Sequence, residues 1–460
     1  MATNTNLLWF IGIYLVGMVI VGIKYASEAK DSKDFVLAGS GLGVFTLVGT
    51  LVASWVGSGA ITGGGNSASY TNGFWIGVGW LVPTLIGMLF FCFVGPKIRK
   101  LGKITIAGII KDRFGTTCAA LTSLVLIIAY LAMTSYQMKG FAFVLNITTG
   151  LDVTVGTWIA CIIIVGLAVM GGLKSVAPTD AWSAVIIVVG LVLAVPFAIN
   201  NAGGWTTIVS NLPENHLQPM GNTDIMHLAG LYIPLLFLML GDSNLIQRIT
   251  ASKSEKELKK SLKIMTISSF FIYPVIALLA TVAKSVYPDI DPGIATLSTT
   301  TFVPLLIGGL LLTGAAAIML TTGDSTLLGC ATSFTYDIYG QFIDPDASEE
   351  KKFKVIRLSI IAFGAISVIC LLFFPSILAI QTYSYTVYSA GITPVVIAAL
   401  LWKKATKQGA LSAIIIGTVL TLVLEFGKFV SIPTGLISIP VSFVTLFVVS
   451  LITYKEKKQV

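Results

Sequence analysis

Runs of about 17 to 25 mostly apolar residues recur along almost the whole chain, and this recurrence restricts the fold more than any motif does. Each run is long enough to cross a hydrocarbon core of ~30 Å as a helix rising 1.5 Å per residue. A segment in lipid has no water to bond its backbone, so only helices or closed barrels span, and runs of this length are helical. Thirteen such runs fall at residues 6–27, 42–70, 74–96, 117–147, 154–173, 179–200, 225–247, 262–284, 299–333, 355–374, 376–402, 408–427 and 432–453. Only 11% of residues are charged against 55% hydrophobic, where a soluble domain carries roughly 25% charged. The chain therefore reads as an all-α membrane protein of one transmembrane unit, its largest extramembrane segments being about 25 residues or shorter.

The net charge of +8 invites a nucleic-acid reading, but the basic residues are sorted by loop. With the N-terminus outside, all of the 29 Lys and Arg except Lys139, Lys284 and Lys428 fall on the cytoplasmic side, in clusters such as KIRKLGK (97–103) and KSEKELKK (253–260). That asymmetry places the C-terminus in the cytoplasm for an odd number of spans, and insertion accounts for the charge without nucleic acid. The first run lacks a basic flank before it and a cleavage site after it, so it reads as a retained helix. Cys92, Cys118, Cys161, Cys330 and Cys370 lie inside spans without metal spacing and read as small buried hydrophobes.

Two spans are interrupted. In VGTLVASWVGSGAITGGGNSASY (48–70) the glycines crowd after Val56, and in LMLGDSNLIQR (238–248) Gly241, Asp242, Ser243 and Asn244 break an apolar run. They are the second and seventh spans, five apart. Broken helices at corresponding positions of two halves are the mark of a transporter built from inverted repeats, with its site near the midplane.

The longest apolar run holds LTTGDST (320–326) at its middle. As a helix it places Thr321, Asp324 and Ser325 on one face, with Thr322 about 100° round. The carbonyl of Ile318 lies one turn before Thr321, and the break at Gly57 and Gly59 frees the carbonyls of Ala53 and Val56. Together with the hydroxyls of Thr321 and Thr322 these make a cage of hard oxygens suited to a small monovalent cation such as Na+. Asp180, near the start of the sixth span, reaches the same half of the bilayer as Asp324, so the two carboxylates are placed to share a cation or a proton. Lys139 lies too deep in its span for easy snorkelling and calls for an anionic partner, from the protein or from a solute. Tyr383, Tyr385 and Tyr388, with Gln381, form a polar aromatic set that either lines a cavity or packs between helices.

These features resemble the sodium:solute symporter family, whose fold is LeuT-like. The resemblance covers essentially the whole chain and rests on VASWVGSGAITGG (52–64), YTNGFWIGVGW (70–80), GGLKSVAPTD (171–180), LIQRITASKSEKELKKS (245–261), TTGDSTLLGCATSFTYDIYG (321–340) and TPVVIAALLWKKATKQGALSA (393–413) in that order. It implies a 5+5 inverted repeat at about 42–200 and 225–402, separated by an exterior loop at 201–224. One extra helix precedes the repeats, within 1–41, and two follow within 403–460. It implies a principal sodium site of Ala53, Val56, Ile318, Thr321 and Thr322, and a second cation site at Asp180, Thr321, Asp324 and Ser325. The family more often has a serine or small residue where this chain has Asp324, so an added carboxylate either tightens cation binding at the second site or makes it protonatable. Ser58, Gln137, Lys139, Tyr383 and Tyr385 are the expected solute-binding residues.

The function expected is Na+-driven import of a small organic solute, carboxylate-bearing if Lys139 faces it, by alternating access. The alternatives are a proton-coupled carrier of the same fold using Asp180 and Asp324, or a channel or solute sensor. No HExxH or GxSxG occurs, and His216 and His227 sit in a loop and near a span end, which argues against an enzyme. Membrane lipid is the expected surrounding, with no obligate protein partner.

Overall fold

The computed structural model describes residues 3–26, 41–57, 59–103, 105–374 and 376–455 and is built of helices. Ser58, one of the expected solute-binding residues, lies outside the described residues. The spans form in the order expected. Helix α1 covers Leu7–Ala26, and the second span is split into α2 (Val44–Val56) and α3 (Gly64–Asn72). Then come α4 (Phe74–Leu101), α5 (Thr116–Thr149), α6 (Val153–Met170) and α7 (Val176–Asn201). The second half begins with another split span, α8 (Ile225–Gly241) and α9 (Ser243–Thr250), followed by α10 (Glu255–Val286), α11 (Leu305–Ser333) and α12 (Glu349–Cys370). A kinked span of α13 (Ile377–Gly391) and α14 (Thr393–Leu401) ends it, and α15 (Lys407–Gly427) and α16 (Gly435–Thr453) close the chain. Twelve spans meet the length and hydropathy needed to cross a membrane over the described residues, and α1 supplies the thirteenth helix.

Helix α11 forms the centre. It carries apolar residues all round, interrupted by the polar stretch Thr321–Thr326, and is almost wholly buried, as a helix enclosed by other helices is. Its glycines let neighbouring backbones touch it: a Cβ at Gly314 would lie 2.5 Å from Ile187 Cα, and one at Gly323 would lie 2.8 Å from Ile164 Cδ1. Ile187 belongs to α7 and Ile164 to α6, two spans of one continuous helical stretch, Val153–Asn201, and both touch α11. Small residues at such crossings replace the hydrophobic drive that lipid cannot supply. Helix α1 seals the outside of this group, with Tyr14 bonded to Ser183 on α7 and Phe10 lying over Gly309.

The two breaks are held by side chains from other spans. Past Val56 the chain leaves α-helix at Gly57, passes through a π-type turn at Gly59–Gly63 and resumes as α3. Gln381 on α13 spans this turn: its Oε1 accepts from Gly64 N at 2.8 Å and its Nε2 donates to Gly59 O at 2.8 Å. One amide thereby satisfies both a donor at the start of α3 and an acceptor in the turn, groups that a break in lipid would otherwise leave bare. A Cβ at Gly63 would lie 2.1 Å from Gln381 Oε1, so this arrangement needs glycine there.

At the second break Asp242 is extended and caps α9 through Oδ1, which accepts from Leu245 N at 2.7 Å. Tyr388 donates to Gly241 O at 2.8 Å and accepts from Ser243 N at 3.0 Å, while Tyr130 accepts from Asn244 N at 3.1 Å. The two tyrosine rings stack at 5.9 Å with an interplanar angle of 18°.

Candidate functional site

The break in α2 faces the middle of α11. Thr322 Oγ1 donates to Ala53 O at 3.3 Å, and Thr321 Oγ1 donates to Ile318 O at 3.3 Å. Gly57 is packed into the same corner, where a Cβ would come 2.9 Å from Thr322 Oγ1, 3.3 Å from Ile318 Cγ2 and 3.4 Å from Ala53 O. Ala53, Ile318, Thr321 and Thr322 are thus brought together, and Val56, also buried, ends α2 beside them. Carbonyl and hydroxyl oxygens without a carboxylate suit a cation of single charge. The hydroxyls here bond to carbonyls that a bound ion would share with them.

One turn toward the Lys- and Arg-rich side lies a buried ionic cluster. Asp180 and Asp324 are both buried. Their partner is Arg248 on α9, which is fully buried. Arg248 Nε donates to Thr50 Oγ1 at 2.8 Å, and its NH2 group donates to Ser325 Oγ at 3.2 Å and reaches Asp180 Oδ2 at 3.5 Å. Thr50 Oγ1 in turn donates to Asp180 Oδ2 at 2.5 Å. Thr321 lies beside the Asp180 carboxyl, and Asp324 is within electrostatic reach of both Asp180 and Arg248. Asp180 Oδ1 and Asp324 Oδ1 have no hydrogen-bond partner among the described residues. If both acids are ionised, two carboxylates face one guanidinium, and a negative charge is left over for a cation or proton to balance.

Sequence reasoning missed Arg248. It was counted with the cytoplasmic charges that set topology, because it follows directly on an apolar run. The signal available was the spacing from Asn244: four residues put Arg248 on the inward face of a half-helix, and its NH1 group donates to Asn244 O at 3.3 Å.

Between the two breaks lies a small cavity of about 40 Å³, lined by Trp55, Gln137, Asp242, Asn244, Thr322 and Tyr385 among others. Gln137 and Tyr385 therefore line one cavity, and Thr322 joins it to the corner at the break of α2. Two expectations need correction. Lys139 does not line this cavity; it is partly exposed, with its ammonium 5.9 Å from the Phe143 ring centroid. Two residues beyond Gln137 is roughly 200° of helix, so when Gln137 faces inward Lys139 faces away. No carboxylate pairs with it among the described residues. Tyr383 also points elsewhere, packing on Phe374 and Phe426 at 4.8 Å and 5.7 Å.

The family model described as "Sodium:solute symporter family" matches residues 35–417. The chain belongs to the sodium:solute symporter family. Among curated relatives, this symporter is 25% identical over 432 residues to the high-affinity proline transporter PutP of Bacillus subtilis, covering 88% of this chain and 89% of that one. It is 24% identical to the sodium/proline symporter of Salmonella typhimurium, over 92% of this chain and 88% of the relative. The sodium/pantothenate symporter of Haemophilus influenzae is 25% identical, with 88% and 86% covered. Among solved structures, a Na+-coupled sialic acid symporter in a substrate-bound outward-open state superposes with a TM-score of 0.81 at 18% identity, covering 98% of this chain and 99% of that one. The fold is accordingly the LeuT-like one, and its second and seventh spans are the broken pairs α2/α3 and α8/α9. The protein is a multi-pass membrane protein and a sodium-coupled solute symporter, not an enzyme.

Proposed function

We propose that this symporter imports a small zwitterionic solute, with Na+ bound by Ala53, Val56, Ile318, Thr321 and Thr322 as the coupling ion. The observation that carries the reading is the convergence of Thr322 Oγ1 on Ala53 O at the break of α2. An ion there ties α2 to α11, and it acts on the transport cycle only through its differential affinity for states in which those helices lie together or apart. Coupling of about 1 to 3 kcal/mol gives a 5- to 150-fold effect on solute affinity.

The solute class follows from the cavity lining. Asp242 supplies a carboxylate and no basic side chain lines the space among the described residues, while Gln137, Asn244, Trp55 and Tyr385 supply neutral polar groups. An ammonium group directed at Asp242 and a carboxylate directed at the amides and the sodium corner satisfy this set. The proline- and pantothenate-transporting relatives named above accord with a carboxylate-bearing solute. The topology supported by the Lys and Arg distribution is N-terminus outside and C-terminus cytoplasmic, with repeats at 42–200 and 225–402.

The orphaned oxygens of Asp180 and Asp324 favour a second, cytoplasm-directed cation site completed by Thr321 and Ser325, and a proton is the alternative occupant. Uptake into proteoliposomes decides between them. A Na+ gradient at constant pH should drive accumulation, and a pH gradient without Na+ should not. Thr321→Ala with Thr322→Ala should abolish Na+ dependence, and its retention would overturn the site.

A further inference from the structure

On the membrane-facing side of the ion-site helices, α2, α7 and α10 enclose an apolar groove of about 790 Å³. Val48, Val52, Val188, Val192 and Ile272 represent its walls, and its lining contains only two polar residues, Ser268 and Lys260. The groove is not a featureless stretch of lipid-facing surface. Its floor is the contact of Gly49 with Ala181, where a Cβ on Gly49 would lie 2.2 Å from Ala181 Cα. Its mouth, on the Lys- and Arg-rich side, carries Lys260 and the edge-on pair Phe45 and Trp182, both exposed, with ring centroids 5.6 Å apart.

Length and charge both point to one occupant. From Lys260 to Ile272 the groove follows α10 for roughly 18 Å at 1.5 Å per residue, close to the ~15 Å thickness of one leaflet of hydrocarbon. Lys260 forms no ion pair among the described residues, and Lys256, one turn earlier, shares its helical face and is also exposed. By contrast Lys259 is paired with Glu255 at 2.8 Å. An apolar slot one leaflet deep with two cations above its mouth is complementary to an acyl chain joined to an anionic headgroup.

We propose that this groove binds one anionic glycerophospholipid, its acyl chain between α2, α7 and α10 and its phosphate on Lys260 and Lys256. A chain seated there presses on α2 and α7 at the Gly49–Ala181 contact. That contact adjoins Thr50 and Asp180, which share a hydrogen bond in the ionic cluster, and lies one turn from Ala53. The bound lipid thereby holds together α2 and α7, two of the three helices that carry the proposed cation-binding groups.

The test is native mass spectrometry of the full-length protein, released from nanodiscs containing equal phosphatidylglycerol and phosphatidylcholine. Each basic residue near an anionic headgroup is worth roughly a fivefold preference, so the wild type should retain phosphatidylglycerol at least fivefold over phosphatidylcholine. Lys256→Gln with Lys260→Gln, both at the surface, should bring the two lipids to parity. Val189→Trp, which fills the groove from its open side, should lower retention of either lipid while leaving the two lysines in place. Equal retention by the wild type, or an unchanged preference in the double lysine variant, would overturn the proposal.

Discussion

The Thr322 hydroxyl donates to the Ala53 carbonyl over 3.3 Å, joining the end of one broken helix to the middle of the central helix across 269 residues of sequence. A sodium ion at the proposed site would be held by both. Thr322→Ala should therefore raise the half-saturating Na+ concentration for transport by about tenfold or more, equivalent to ~1.4 kcal/mol, whereas Thr322→Ser, which keeps the hydroxyl, should stay near wild type. Na+ titration of uptake by proteoliposomes reads both values.

Gly57 tests the same corner through space alone. A methyl group there would sit 2.9 Å from Thr322 Oγ1, closer than real Cβ contacts allow, so Gly57→Ala must displace either the hydroxyl or the helix end. The variant should insert and fold but lose most Na+-dependent uptake. Normal transport with a normal Na+ requirement would show that the corner has slack the packing does not suggest.

Arg248 and Asp180 form a fully buried pair, with side chains 1% and 2% exposed. Removing one partner leaves an uncompensated charge and costs about 3 to 5 kcal/mol, while removing both costs less. Arg248→Gln and Asp180→Asn should each lower the melting temperature of the purified protein markedly, and the double variant should recover part of the loss. Additive losses would mean that the pair is not energetically coupled.

His216, in the loop that precedes α8, is 1% exposed, and neither of its ring nitrogens has a partner among the described residues. Burial, and secondarily the charge of Lys284, push its pKa down from 6.5 to about 4. The unfolded ring therefore takes up a proton at a higher pH than the folded one. Its contribution to stability is complete above about pH 6.5 and is lost as the pH falls toward 4. His216→Phe should flatten this part of the pH profile in thermal-melting measurements between pH 7 and 4.5, and an unchanged profile would assign the loss to other groups.

Lys139→Met should leave solute affinity and Na+ dependence near wild type, because Lys139 faces away from the cavity. Gln137→Ala should raise the KM for solute several-fold, since its side chain lines the space. Competition assays with labelled solute distinguish the two, and the reverse pattern would show that the solute lies elsewhere on α5.

Most of the architecture was legible in sequence because lipid leaves a spanning segment so few options. The order of spans, the two breaks and the threonine pair of α11 follow from run length, glycine spacing and helical periodicity, each a local property. The same locality explains the errors. Lys139 and Gln137 are two residues apart, and only the rotation of α5 against its neighbours decides which of them faces the cavity. Tyr383 and Tyr385 pose the same problem on α13. Arg248 lies at the end of an apolar run, where a charge that sets topology and a charge buried in the protein look identical in sequence.

The sequence by itself determined that this chain is a bundle of about a dozen membrane-spanning helices and where two of them must break, and it nominated the oxygen-bearing residues near the first break. Only the tertiary structure decided that Gln381, Tyr130 and Tyr388 hold those breaks, that Arg248 stands between Thr50, Asp180 and Ser325, and that Asp180 and Asp324 each have one oxygen with no hydrogen-bond partner among the described residues. The reason is physical. Backbone hydrogen bonding in lipid is settled within each segment, whereas the pairing of buried charges depends on which helix faces meet, and those faces come from residues hundreds of positions apart.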